Sequence, residues 1–233
     1  MVVLRVWREA PCPALRRLGV TVTSRRPPRP ITRRPVGTKD PKRRVVVVAE
    51  GAKTEPHYIA LLRPRCLAAL VEVEVVDEPA TDPRSLVRRA VEIKAEAKRS
   101  YRRSKDPNDL VDDVWCVFDV DEHLFLREAC EKARDNGVQL AVSNPSFELW
   151  LLLHFQPQTA YLSRDDARRS LQRHIVGYDK TIASLSPFEG AFDDARQRAM
   201  LLERKHEGDG TVFPHNNPSS GVWRLVDAIE GAY

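Results

Sequence analysis

Val45-Val46-Val47-Val48-Ala49-Glu50-Gly51-Ala52-Lys53-Thr54-Glu55-Pro56-His57-Tyr58 joins four consecutive β-branched residues to an acid, a glycine and a helix-opening signature. A run that is apolar on both faces is the pattern of a strand inside a parallel sheet, where crossover helices cover both sides. Thr54 is placed to cap the next helix, and Pro56 falls in its first turn, where a missing N–H costs nothing. That helix is expected to reach about Leu62, to break at Pro64 and to resume to Leu70.

The pattern repeats downstream. Val71, Val73 and Val75 alternate with Glu72 and Glu74, which predicts a half-exposed strand near a sheet edge. Over 82–103, Leu86, Ala90, Ile93, Ala97 and Tyr101 share one helical stripe, with Arg and Lys opposite. Val114 to Phe118 is a second fully apolar strand, ending in Asp119-Val120-Asp121, and a helix follows to Arg134, closed by Asn136-Gly137. Val138 to Val142 supplies the fourth strand. Ser143-Asn144-Pro145-Ser146-Phe147-Glu148-Leu149-Trp150 then reads as an Asn cap, Pro at the first helical position and a very apolar helix. Alternation of this kind predicts an α/β fold with a parallel sheet flanked by helices. Residues 159–233 read as a helical C-terminal part packed on the same domain, with helices near 164–174, 188–206 and 218–231, the last opened by Asn217-Pro218-Ser219-Ser220.

Upstream of the first strand the character changes. Residues 1–44 hold thirteen Lys and Arg against Glu9 and Asp40, so the total charge of +5 leaves the remainder with a net −6. With seven prolines and no sustained period, residues 1–43 read as a disordered basic arm, distinct from an α/β domain over 44–158. Such an arm can hold phosphates or serve only as a solubilising leader. Arg5, Trp7, Arg8 and Glu9 interrupt the first apolar residues, which argues against a secretory signal and for a cytoplasmic location. The apolar run Leu149–Leu153 is far short of the roughly 20 residues a membrane span needs, so no membrane partner is expected.

Ligands of open parallel sheets collect at the carboxyl ends of the strands. Here those ends deliver Glu50, then Asp119 and Asp121, then Asn144 with Glu148 one turn later. Asp119 and Asp121, two apart on extended backbone, can point the same way. Clustered carboxylates repel one another and resist ionisation unless a cation neutralises them. Oxygen ligands without His or Cys favour Mg²⁺ or Mn²⁺ over zinc. Each acid alone has an ordinary explanation, as a helix cap or a complement to the helix dipole. The three together, on the first and third strands of one sheet, favour a site. Glu148 is the only charged residue between Asn144 and His154, in a helix apolar nearly all round. It needs a cation or hydrogen-bonded partners there, or the backbone N–H groups of its own first turn.

Competing chemistries fare worse. Cys12, Cys66, Cys116 and Cys130 form no close pair, against a zinc or redox motif. Gly51-Ala52-Lys53-Thr54 lacks the spacing of a phosphate loop, although Lys53 at a helix start suits a phosphate contact. The six histidines show no metalloprotease spacing, and Ser146 and Ser219 lack a nucleophile elbow.

Four blocks, 45–58, Val114-Trp115-Cys116-Val117-Phe118-Asp119-Val120-Asp121, 143–155 and 217–226, together resemble the RloB-like proteins over about 44–230. That family looks like a variant of the Toprim domain, in which a Glu follows the first strand and a D-x-D follows the third. Glu50 matches the first position, and Asp119 and Asp121 match the pair. The resemblance implies metal-dependent phosphodiester chemistry and abortive-infection defence against phage, beside an ABC-like ATPase partner. It therefore implies a Mg²⁺-dependent endonuclease acting on DNA or tRNA. Glu50, Asp119 and Asp121 would be catalytic metal ligands, Glu148 a further ligand, Lys53 a phosphate contact, and Glu55 and Asn144 supporting groups. A regulatory subunit that binds nucleic acid or the ATPase without cutting is the alternative, and the oligomeric state stays open.

Overall fold

In the computed structural model of the chain, residues 42–50, 53–62, 71–77, 82–120 and 125–231 are described here. The arm expected over 1–43 lies outside them except for Lys42 and Arg43, as do the helical continuation from Pro64 to Leu70 and the second acid of the D-x-D, Asp121. Five strands form one sheet: β1 (Arg43–Ala49), β2 (Val71–Asp77), β3 (Asp113–Asp119), β4 (Gln139–Asn144) and β5 (Ser219–Ser220), in the order β2-β1-β3-β4-β5. The first four are parallel. Around them stand seven described helices: α1 (Thr54–Leu61), α2 (Pro83–Ser104), α3 (Leu126–Asp135), α4 (Phe147–Leu153), α5 (Arg164–Gln172), α6 (Phe192–Gly208) and α7 (Val222–Glu230).

The valine run behaves as its composition demands. Val45, Val46, Val47 and Val48 are all fully buried, and successive side chains enter opposite cores. Val45, Val47, Ala49, Trp115, Val117 and Ala141 pack on one face with residues of α1 and of α4 through α7. Val46, Val48, Val114, Cys116 and Phe118 pack on the other with α2 and α3. A fully buried valine contributes on the order of 1.5–3 kcal/mol, so this strand is a large part of what holds both layers together. Cys116 is the small buried hydrophobe its strand position predicts, and burial pushes its thiol up to about 12. β2 is the edge strand, with Glu72 and Glu74 outward.

Helix α2 begins where Asp82 accepts hydrogen bonds from the Arg84 and Ser85 amides (3.0 and 3.3 Å) and Pro83 takes the first turn. Of the expected apolar stripe, Leu86 and Ala90 are buried, but Ala97 and Tyr101 are only half-buried. At about 1.5 Å per residue the helix is roughly 33 Å long, longer than a seven-residue strand of about 23 Å, so its last turns pass beyond the core. Gly137, with φ of 62°, closes α3 as expected, where a side chain would be strained.

Three local expectations are corrected. Thr54 does not cap α1; Lys53 stands at that position without a capping bond, and the Thr54 hydroxyl donates to the Lys180 carbonyl (2.8 Å). Asn144 does not cap α4 with Pro145 at its first position. It ends β4 opposite Ser219, its amide donates to the Pro214 carbonyl (2.8 Å), and the helix starts at Phe147 after Ser146. Finally, Ser219 and Ser220 do not open the last helix. They add an antiparallel strand to β4, which satisfies polar backbone that an uncovered edge would expose. Gly221 N–H donates to the Val142 carbonyl (2.8 Å) before α7 begins at Val222. Among the described residues no helix is long and apolar enough to cross a membrane.

Candidate functional site

The chain leaves β1 toward β2 on one side, and later returns to place β3 on the other side of β1. The helix after β1 and the helix after β3 therefore lie on opposite faces: Tyr58 and Ile59 of α1 belong to one core, Leu126 and Ala129 of α3 to the other. Such a reversal opens a crevice beyond the carboxyl ends of the two strands, the usual ligand position in doubly wound sheets. A cavity of about 530 Å³ stands there, large enough for a small ligand or one nucleotide unit.

Its floor is acidic. Glu50 follows the last residue of β1 and is held by its own N–H to the Val117 carbonyl (3.1 Å). Asp119 is the last residue of β3, and its backbone N–H points to Glu50 Oε2 at 3.4 Å. Glu55 on the first turn of α1 and Glu148 on the first turn of α4 are both buried and line the same cavity. Burial pushes the Asp119 carboxyl well above the usual aspartate range; the charge of Glu55 adds to the rise, and Arg164 opposes it. Burial also raises the carboxyl of Glu55, with Glu148 and Glu50 contributing through their charges against the helix-start amide. The Tyr178 hydroxyl donates to Glu148 Oε1 (3.2 Å), and burial in this acidic setting raises the phenol as well.

The opposing wall is basic. Arg164, at the first position of α5, donates through Nη2 to Asp119 Oδ2 at 2.8 Å. Arg168 one turn later, Lys180 and Lys53 complete it, with Asp165 as the one acid among them. Lys53 and Arg164 stand at helix N-termini, where the macrodipole disfavours cations and favours an anionic ligand.

The cavity thus gathers Glu50, Lys53, Glu55, Asp119 and Glu148 from the residues singled out in the sequence. Asn144 does not line it, because its amide is drawn to Pro214 and Asn216. Asp121 lies outside the described residues. Arg164, Arg168, Tyr178 and Lys180 escaped the sequence reading. Their segment carries no strand-end signature, and the one local cue, Ser163 capping α5 through the Asp166 amide (3.1 Å), marks only a helix start.

A hard divalent cation fits the chemistry of this donor set: the floor is all carboxylate oxygen, and a buried Asp119 needs positive charge beside it to ionise. Among the described residues no group of three His, Cys, Asp or Glu stands close enough to hold a metal. To hold such a cation, Glu50 and Asp119 would need a further donor.

Compared with known proteins, the chain matches the family model described as RloB-like protein over residues 45–229. No curated protein and no solved structure matches it. The matched stretch runs from the valine strand through α7 and takes in every residue of the cavity, and on that ground the chain belongs to the RloB-like family.

Proposed function

We propose that this protein is a Mg²⁺-dependent, Toprim-like nuclease that cleaves nucleic-acid phosphodiester bonds, acting in abortive-infection phage defence with an ABC-like ATPase partner. The observation that supports this most is the meeting of Glu50 and buried Asp119 at the β1–β3 crevice, facing a wall of four cations. Carboxylates of this kind hold a metal; cations opposite them hold a phosphate.

Asp119, with Asp121 two residues on and Glu50 across the crevice, would hold Mg²⁺ or Mn²⁺, and Glu148 would be a further ligand or orient one. When bound, such a metal lowers the pKa of water and stabilises charge on a phosphoryl oxygen. Glu50 can also take or return a proton at a carboxylate oxygen. Tyr178 donates its hydroxyl to Glu148 and so helps to orient it. Lys53 would meet a phosphate oxygen, with Glu55 supporting the floor. The basic arm would add sequence-independent phosphate contacts, which the acidic floor alone would repel.

The test is cleavage of DNA and of tRNA by purified protein with Mg²⁺, with Mn²⁺ or with EDTA. Metal-dependent cutting lost in Asp119→Asn is expected, a loss of about 10²-fold or more. Cutting that survives EDTA, or that Asp119→Asn matches, rules the proposal out. The 2.8 Å ion pair between Arg164 and Asp119 favours a second reading, a regulatory subunit that binds nucleic acid or the ATPase, since the arginine already neutralises the central carboxylate. Phage defence unaffected by Asp119→Asn would select that reading.

A further inference from the structure

The floor and wall of the cavity meet at one contact, and its two ends are held very differently. The Asp119 side chain is 9% exposed and closes strand β3, so its backbone cannot shift without the sheet; that of Arg164 is 48% exposed on the first turn of a helix. A long, half-exposed arginine can leave the carboxylate and remain within the cavity by rotamer changes alone. Arg168 stands one turn away on the same helix. It reaches Asp179 only at 3.8 Å, and its Nε is buried with no hydrogen-bond partner among the described residues.

We propose that Arg164 alternates between two partners: it neutralises Asp119, and it yields that carboxylate to a divalent cation by swinging, with Arg168, onto a phosphate of the nucleic acid. The identity of the cation rests on the nuclease reading above; the exchange itself rests on the ion pair. A guanidinium cannot lose its proton, so it cannot yield Asp119 by titrating and has to move. A guanidinium and a divalent cation on one buried carboxylate repel each other strongly where solvent screening is weak. Metal at Asp119 and Arg164 at Asp119 therefore oppose one another. Whatever draws Arg164 away strengthens metal binding, and the coupling is reciprocal. A phosphodiester that takes up Arg164 would help the metal to bind, so the site assembles fully only on its substrate.

The experiment follows Mn²⁺ binding by electron paramagnetic resonance on the full chain, with and without a phosphorothioate oligonucleotide, in DNA and in RNA form. For the unsubstituted protein the oligonucleotide should tighten Mn²⁺ binding by about tenfold. Arg164→Gln should bind Mn²⁺ about tenfold more tightly by itself and gain nothing further from the oligonucleotide. Arg168→Gln should weaken oligonucleotide binding and shift the Mn²⁺ affinity of the free protein much less than Arg164→Gln does, an asymmetry that simple loss of packing would not produce. If Arg164→Gln leaves Mn²⁺ affinity unchanged or weaker, while Asp119→Asn abolishes binding, the exchange is wrong and the metal site stands. If neither the unsubstituted protein nor folded Arg164→Gln binds Mn²⁺, the metal reading falls and the exchange with it.

Discussion

At the carboxyl ends of β1 and β3 the cavity is floored by groups such as Asp119, whose side chain is 9% exposed, whereas the Arg164 and Arg168 side chains of its wall are 48% and 42% exposed. The floor is fixed by backbone: Asp119 is part of the β3 ladder, and Glu50 is tied to it through the Val117 carbonyl. The wall is carried on long side chains at the start of a helix. Charge is expensive to bury, so Asp119 is buried where the strand ladder holds its backbone, and the opposite charge is left where water shares the cost. Precision then belongs to the floor and adaptability to the wall.

The sharpest way to break this contrast is to loosen the strand beneath the floor. Phe118 precedes Asp119, is 1% exposed and packs into the core that includes α2 and α3. Phe118→Ala should lose about 3–5 kcal/mol in urea unfolding. A loss below about 1 kcal/mol would mean that strand packing does not hold the floor.

Next comes the tie between floor and C-terminal part. Tyr178→Phe removes the hydroxyl that satisfies buried Glu148, and thermal unfolding should report a loss of about 1–2 kcal/mol. No change would detach Tyr178 from the floor and make Glu148 self-sufficient.

A smaller effect, with a pH signature, is expected at the cap of α2, which braces the far core. The Ser85 hydroxyl donates to Asp82 (2.7 Å), and with the Ser85 and Arg84 amides it holds the carboxyl below the usual aspartate value. Asp82→Ala should cost about 1 kcal/mol near neutral pH. Because the folded-state pKa is the lower one, this stabilisation is complete above the unfolded value of about 4 and is lost as acid titrates the folded group. The stability curves of the two proteins should therefore converge at low pH; a gap that persists in acid would assign the loss to packing.

The smallest effect belongs to the wall. Asp179 is 88% exposed and stands 3.8 Å from Arg168, so Asp179→Ala should change stability by no more than about 0.5 kcal/mol in the same unfolding assay. A loss above about 1 kcal/mol would show the wall to be as rigidly held as the floor.

Much of the fold was legible in advance because it rests on local pattern. Val45–Val48 could only be a strand covered on both sides, alternation at 71–75 marked the edge, and Asp119 could be placed at a strand end from the apolar run before it. What failed were assignments where one residue has several uses. Thr54, Asn144 and Ser219 are all common around helix starts, yet each is taken by a partner at least 70 residues away: Lys180, Pro214 and Asn144 respectively. Propensity cannot see such a competitor.

The sequence by itself determined the parallel core and the acids at its strand ends, because burial period and strand termini are written over a few adjacent residues. Only the tertiary structure decided what faces those acids. Arg164 meets Asp119 across 45 residues, and Tyr178 meets Glu148 across 30. A charge on a helix start looks solvated in sequence; whether it solves another residue's burial depends on where the chain returns.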